Sequence, residues 1–347
     1  MRAFRKPLTE DRAESEVRGW QAVEAHLPVP ALLGRSATTP GRQQFVAFED
    51  VFTSGRCRGL LGDLIAEADT DPALIPEVRQ LVDEVCTDWC RAVEHTGRRA
   101  EFVSCIPALY ADRLQPGGRL DHWYRGTRPP LGLDGHSLDV AGTVHRIDAG
   151  ALIEELRGEL PPDRLWMTAL TQGDPTEPNI AYPRCWLDFE HAGRNTIAGE
   201  IANLLWYLIA LGGWLVPRYQ PDVYARTLRR PYHPVFQPAL DHVGRSQRRQ
   251  RFELSYIWRV GPGRAAAIEQ LLARVHDDLG EAAGLDPAEP MRSLRALLAL
   301  RILGVIPASR LNPDDVLLLA IKLAQTRMPT ATLAEFATVS ALQQEPR

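Results

Sequence analysis

The segment LTQGDPTEPNIAYPRCWLDFEHAGRNTIAGEIANLLWYLI, Leu170 to Ile209, decides how this chain is read. Gly173, Pro175 and Pro178 forbid a regular helix and set a tight loop. That loop carries Asp174 and Asn179 five residues apart. NIAY, the turn PR and CWL then predict a tiny hairpin, whose far end delivers Asp188 back beside the start of the loop. Asp and Asn next to Gly and Pro are also ordinary turn residues, because their side chains satisfy backbone N–H groups. Spacing alone therefore leaves two readings open. One is a plain turn; the other is a site where two carboxylates and an amide oxygen converge as hard oxygen donors for Mg2+, able to align a hydroxyl for attack on a metal-held phosphate.

Working outward, the 347 residues suffice for one large domain or two lobes. A composition of 45% hydrophobic and 24% charged residues is that of a soluble protein. The net charge of −4 gives no field that would draw nucleic acid or an anionic membrane. The five cysteines, Cys57, Cys86, Cys90, Cys105 and Cys185, are scattered, so neither a disulfide framework nor a zinc site is suggested. Cys86 and Cys90 would share a helix face as small apolar side chains. The N-terminal residues lack an apolar signal core. The run IANLLWYLIALGGWLV contains Asn203 and two glycines and reads as a buried helix, not a membrane span. A cytoplasmic, soluble protein is expected. Only Lys6 and Lys322 of the 40 basic residues are lysine, which raises the question whether either position needs lysine specifically.

RAFRKPL predicts a short strand stopping at Pro7, TEDRAESEVRGWQAVEAHL a helix, and RQQFVAFEDVFTSG a strand closing on a turn. RGLLGDLIAEA, PALIPEVRQLVDEVCTDWCRAVEHTG and DAGALIEELRGEL predict helices. The intervening LQPGGRLDHWYRGTRPPLGLDG reads as loop with a short strand near His122 to Tyr124. Everything after the opening quotation is expected to be mainly helical, with RSQRRQR (Arg245 to Arg251) as a solvated helix face.

Asp174-x4-Asn179, a short hairpin and Asp188-Phe189-Glu190 together resemble the catalytic and metal loops of the aminoglycoside phosphotransferase and choline kinase-like family, which shares the protein-kinase fold. In that family an acidic residue opens the buried helix that follows, here Glu200 in HAGRNTIAGEIANLLWYL. Further back, RKPLTEDRAESEVRGWQAVEAHLPVP resembles the family's strand lysine, helix glutamate and PVP exit, and FVAFEDV its hinge. The four motifs occur in order over residues 1–215; the C-terminal third is similar only in being helical. The resemblance implies an α+β, protein-kinase-like two-lobe fold. Its truncated small β-containing N-lobe and hinge would occupy residues 1–55, and a large mainly helical C-lobe with the catalytic and metal loops residues 56–347. It implies ATP as phosphate donor, Mg2+ held by Asn179 and Asp188, and Asp174 as the catalytic residue that meets the acceptor hydroxyl. It also implies Lys6 on phosphate with Glu16 as its ion-pair partner, backbone near Glu49 and Val51 at adenine, Glu200 bracing the loop, and a small hydroxylated metabolite as acceptor.

Two departures accompany the resemblance. The family's loop carries His two residues before the catalytic Asp, where this chain has Gln172; Gln still hydrogen-bonds, so a modified loop is expected. The family's Gly-rich hairpin precedes its lysine strand, and only five residues precede Lys6. Three expectations follow: the gene continues upstream, the nucleotide is held differently, or phosphotransfer is lost. The last corresponds to a pseudokinase, a nucleotide- or small-molecule-binding protein without phosphotransfer activity. Other features have plainer readings. His191 reads as a loop residue, and Asp222 and Glu253 as acids that face either a cationic substrate or water. Gly261-x-Gly263-x-x-Ala266 matches a dinucleotide-binding pattern only weakly, since RFELSYIWR before it reads as charged helix; the glycines are better explained as a break between helices.

Overall fold

The computed structural model describes residues 2–36, 44–105, 109–125, 136–140, 142–227, 235–246, 248 and 250–341. It is a mixed α+β structure with several small sheets and a predominantly helical body. The chain opens with β1 (Ala3–Leu8), α1 (Glu10–Val23), β2 (Leu32–Arg35) and β3 (Gln44–Glu49), the strands forming an antiparallel sheet in the order β1-β3-β2. Pro7 does not end β1, which continues to Leu8, because β1 is an edge strand on which a missing N–H costs no ladder bond. One face of α1 buries Ala13, Glu16, Gly19 and Val23. At Gly19 a Cβ would overlap the Phe189 carbonyl oxygen, so the missing side chain lets α1 sit against the Asp188 segment.

The chain then passes through β4 (Gly59–Leu60), α2 (Leu61–Ala68) and the long α3 (Ile75–Thr96) to β5 (Arg98–Glu101). Two short helices follow, α4 (Ala111–Leu114) and α5 (Arg119–Tyr124). The strand expected near His122 to Tyr124 is thus helix: Leu120, Trp123 and Tyr124 fall at i, i+3 and i+4, and Leu120 and Tyr124 are buried. Residues 126–135 of that loop lie outside the described residues. β6 (Ser137–Val140), β7 (Thr143–Arg146) and α6 (Ala149–Glu159) lead into β8 (Leu165–Thr171).

The central segment forms the expected hairpin, β9 (Ile180–Tyr182) against β10 (Cys185–Trp186), with a cis Tyr182–Pro183 bond. β9 also pairs with β4. β11 (Gly193–Thr196) follows, antiparallel to β8, which carries β5 on its other side. α7 (Ile197–Trp206) starts at Thr196, whose hydroxyl accepts from Gly199 N at 2.8 Å. It runs on as a π-helical stretch over Tyr207–Leu215 into α8 (Val216–Tyr219), and α9 (Pro221–Thr227) follows. The span Ile197–Tyr219 is long and apolar enough to cross a membrane, but 89% of its most apolar window is buried inside the protein.

The remainder is less helical than its composition suggests. β12 (Ala239–Ser246) and β13 (Arg251–Ile257) join β6 and β7 in a four-stranded sheet ordered β12-β13-β6-β7. RFELSYI is therefore strand, not charged helix: Phe252, Leu254 and Tyr256 alternate onto one face while Glu253 and Ser255 are exposed. The arginine run is likewise no helix face, since Arg245 lies in β12 and Arg251 opens β13; Gln247 and Arg249 between them are outside the described residues. β14 (Arg259–Val260), α10 (Pro262–His276), α11 (Asp278–Ala282), α12 (Pro290–Val305), α13 (Pro313–Arg327), α14 (Leu333–Ala337) and β15 (Ser340–Ala341) complete the chain. The glycines of the weak dinucleotide pattern follow a strand, yet they serve packing. Gly263 N donates to Asp69 Oδ1 at 2.9 Å, and a Cβ on Gly261 would overlap that carboxylate. The N-terminus of α10 is thus occupied by a side chain of the protein itself.

Lys322, one of the two lysines, lies fully inside this body on α13. Its ammonium donates to the Phe336 carbonyl and sits 4.5 Å from the Trp258 ring centroid and 5.2 Å from that of Phe336. Burial pushes its pKa down to about 7. Arginine would stay charged there at any ordinary pH, which gives a physical reason for lysine. Because the pKa is lower folded than unfolded, the unfolded chain binds more protons between about pH 7 and the ordinary value of 10.5, and stability rises with pH across that window. Thermal unfolding of wild type and Lys322→Met from pH 6.5 to 9.5 is expected to show wild-type Tm gaining on the variant as pH rises. Parallel curves would contradict a titrating buried lysine.

Candidate functional site

Gly193 pairs with Thr171, so the chain leaving β8 at Gln172 lies alongside the chain entering β11. This pairing presses the loop of Asp174 against the loop of Asp188. Gly173 is required at the crossing: its φ is +88°, and a Cβ would overlap the His191 carbonyl oxygen. Asn195 closes the crossing from below, its amide donating to Thr171 O at 3.1 Å and His191 O at 3.3 Å. Gln172 uses both ends of its amide as a brace. Nε2 donates to Leu187 O at 2.9 Å and to Asp188 O, while Oε1 accepts from Asp174 N at 2.9 Å. The far side of the loop is anchored by a buried ion pair of Glu177 with Arg264, whose guanidinium also reaches Leu208 O at 3.2 Å.

Three distant segments meet at Lys6. From β1 its Nζ lies 2.7 Å from Glu16 Oε2 on α1 and 2.7 Å from Asp188 Oδ1. Glu16 is buried, and its second oxygen accepts from Phe189 N at 3.1 Å. Arg12 on α1 clasps Glu190, so α1 holds this loop at two points. Burial draws the Lys6 pKa down, but the Asp188 and Glu16 carboxylates outweigh it and hold the ammonium above its ordinary value. Burial dominates at Glu16 and raises its carboxyl despite Lys6. At Asp188 burial pushes upward, and Lys6 more than offsets it, leaving the carboxylate below its usual range. Asp188 also sits at φ +60°, an uncommon conformation that Asp and Asn tolerate better than bulkier residues.

Asp174 faces the same cavity from the opposite loop. Its Oδ1 accepts from Asn203 Nδ2 at 2.8 Å and lies 3.8 Å from Arg301 Nη2. Its backbone oxygen accepts from Asn179 Nδ2 at 2.9 Å. With Nδ2 committed there, the Asn179 Oδ1, a hard oxygen donor, has no hydrogen-bond partner among the described residues. Lys6, Glu16, Glu49, Val51, Asp174, Asn179 and Asp188 all line one cavity of about 700 Å3, of the size that holds a small-molecule ligand. At the Glu49–Val51 end, Glu49 N donates to Ala31 O, and Val51 O accepts from Cys57 N, both at 2.8 Å. The Glu49 carboxylate is paired with Arg56 at 3.1 Å. His191 lines the cavity as part of the loop; Asp222 and Glu253 do not line it.

Among the described residues no group of three or more His, Cys, Asp or Glu side chains could cage a metal. Mg2+, however, is commonly held by one or two protein oxygens together with phosphates and water. Asp188 and the free Oδ1 of Asn179 fit that mode of binding. Among the lining residues not singled out in the sequence are three arginines, Arg113, Arg119 and Arg301. Arg301 carried a legible signal, as a buried charge inside the apolar run LLALRILGV. Arg113 and Arg119 lie in short helices within a stretch of loop-like composition and carried none.

Glu200 lies beneath both loops and is fully buried. Its Oε1 accepts from Gly173 N at 2.9 Å and from the Thr171 hydroxyl. Among the described residues its Oε2 has no partner, and neither does the buried Oδ1 of Asn203, three residues further along α7. Burial pushes the Glu200 pKa up to about 8. A proton on Oε2 turns one of two unpaired acceptors on this helix face into a donor. The folded chain then binds more protons than the unfolded one between the ordinary 4.5 and about 8, so this contribution to stability is full below that window and is lost as pH rises through it. Glu200→Gln, which supplies the donor permanently, should keep stability at pH 7 within about 1 kcal/mol and flatten its pH dependence. Glu200→Ala should cost about 2–4 kcal/mol. Denaturant unfolding checks both; equal destabilisation by Gln and Ala would contradict a protonated side chain.

No family model matches the chain, and no curated protein matches it either. Among solved structures it is similar to a glucosamine kinase (crystal form B), at 12% identity and a TM-score of 0.46, over 91% of this chain and 71% of that one. That likeness is distant, and the reading of the cavity rests on its own geometry.

Proposed function

We propose that this chain is an ATP-dependent phosphotransferase acting on a hydroxyl of a small molecule with the assistance of Mg2+. In this reading residues 1–55 form a small kinase-like lobe over a larger helical one. The observation that carries it is the Lys6–Glu16–Asp188 contact, built from three segments far apart in sequence, on the same cavity as Asp174 and Asn179. Lys6, oriented by Glu16, neutralises phosphate oxygens. Asp188 and Asn179 would hold Mg2+, which would supply neutralisation of phosphate charge. Asp174, kept in place by Asn203, orients the acceptor hydroxyl and takes its proton as the oxygen attacks the γ-phosphorus and the bond to ADP breaks. The protein's contribution is positioning and electrostatics, with little covalent chemistry of its own.

A second reading is a nucleotide- or small-molecule-binding protein without transfer activity. It is favoured by Gln172 in place of the family's His and by Lys6 already neutralising the carboxylate that would hold the metal. Phosphorus NMR of Mg–ATP with the chain and a panel of hydroxylated acceptors separates the two. Acceptor-dependent ADP and a new phosphate ester support the transferase. Nucleotide binding with no ester from any acceptor supports the binding protein.

A further inference from the structure

Beside Asp174 the cavity wall carries three arginines, Arg113 on α4, Arg119 on α5 and Arg301 on α12. Arg113 is 8% exposed and Arg301 3%, and in both Nε and Nη1 are buried with no hydrogen-bond partner among the described residues. Among the described residues, the carboxylate that pairs with the cluster is Asp174, 3.8 Å from Arg301. Arg119 donates to Gly304 O at 3.2 Å and lies 5.4 Å from the Trp123 ring centroid, so the main chain and an aromatic face hold it without neutralising it. Gly304 also makes room for Arg113: a Cβ there would come within 3.3 Å of Arg113 Cδ. Burial and the neighbouring Arg301 and Arg119 together push the Arg113 pKa down to about 9, as expected for like charges held close without enough acid.

Buried guanidinium groups are costly unless paired, and their planar fork suits carboxylate and phosphate oxygens. We propose that this end of the cavity is the acceptor subsite and that it takes a hydroxylated substrate bearing an oxyanion, a carboxylate or a phosphate, which Arg113, Arg119 and Arg301 bind while Asp174 faces its hydroxyl. As an assignment of acceptor class this rests on the phosphotransferase reading; the oxyanion subsite itself does not. It reverses the charge expected for a cationic acceptor, for which the acids Asp222 and Glu253 would have to face the cavity.

The test uses the full chain and four hexose-sized probes: gluconate, glucose 6-phosphate, glucose and glucosamine. Each is titrated calorimetrically and then offered as acceptor with Mg–ATP. At least one anionic probe is expected to bind more than 10-fold tighter than glucose, with glucosamine weakest; whether gluconate or glucose 6-phosphate leads identifies the anion. Arg113→Met and Arg301→Met should each remove the preference, and Arg301→Lys should keep part of it. Since the Nε and Nη1 groups lost have no partners among the described residues, and the ion pair lost in Arg301→Met is long at 3.8 Å, the Met variants should melt close to wild type, which separates lost recognition from lost folding. Equal or tighter binding of glucose or glucosamine, no binding of either anion, or an anion preference that survives both Met substitutions would overturn the proposal. Anion binding without phosphate transfer would leave this subsite standing and remove the phosphotransferase reading. Transfer to neutral or cationic acceptors would do the reverse.

Discussion

Asp174→Asn is expected to lower acceptor-dependent ADP formation by about 10²- to 10⁴-fold, the range general acid–base groups supply, while changing the melting temperature little. The expectation follows from how little the shape of the loop depends on the Asp174 carboxylate, whose pairing with Arg301 is long at 3.8 Å. Its loop is held by other groups: Gln172 on its N–H, Asn179 on its carbonyl, and Glu200 on the neighbouring Gly173 N–H. Asn preserves shape and can still accept from Asn203 through its own oxygen. It loses the negative charge beside Arg301 and the capacity to take a proton. The effect should therefore fall on kcat, with ATP affinity unchanged. Turnover equal to wild type would remove Asp174 from the chemistry and leave it a turn residue.

Asp188→Asn should act on nucleotide binding instead, weakening Mg-dependent ATP affinity on the order of 100-fold or more, since even partners that only orient metal ligands are worth 10- to 100-fold. Asn tolerates the positive φ, so the backbone survives the substitution. Lys6 retains Glu16 as its partner at 2.7 Å. What disappears is a carboxylate whose pKa Lys6 holds below its ordinary value against the effect of burial. Binding without Mg2+ should fall far less, because Lys6 remains. A variant that bound Mg–ATP as tightly as wild type would place the metal elsewhere.

The local parts of this site were legible because they rest on local rules. Gly and Pro spacing marked the Asp174 loop and the β9–β10 hairpin, and alternating or 3.6-residue periodicity marked β3, α1 and α3. Two misreadings came from giving charge more weight than period. RFELSYI has charged neighbours and reads as helix until Phe252, Leu254 and Tyr256 are seen to alternate. A short strand is expected near His122 to Tyr124 within a loop, although Leu120, Trp123 and Tyr124 have helical spacing. The meeting of Lys6 with Asp188 was not legible from spacing, since 182 positions separate them; the family resemblance implied Lys6 on phosphate and Asp188 on metal, and named only Glu16 as the lysine's partner. The arginine cluster was hidden for the same reason. Arg113, Arg119 and Arg301 come from three helices, and no local pattern announces that α12 will bring the last beside the other two.

Calorimetric titration of ATP into the full chain, with and without Mg2+, tests the central claim most directly. The cavity holding Lys6, Asn179 and Asp188 predicts a single site whose affinity rises at least 10-fold with Mg2+ and falls back in Asp188→Asn. ATP binding that ignores Mg2+, or no binding at all, would contradict a magnesium–nucleotide site between these loops.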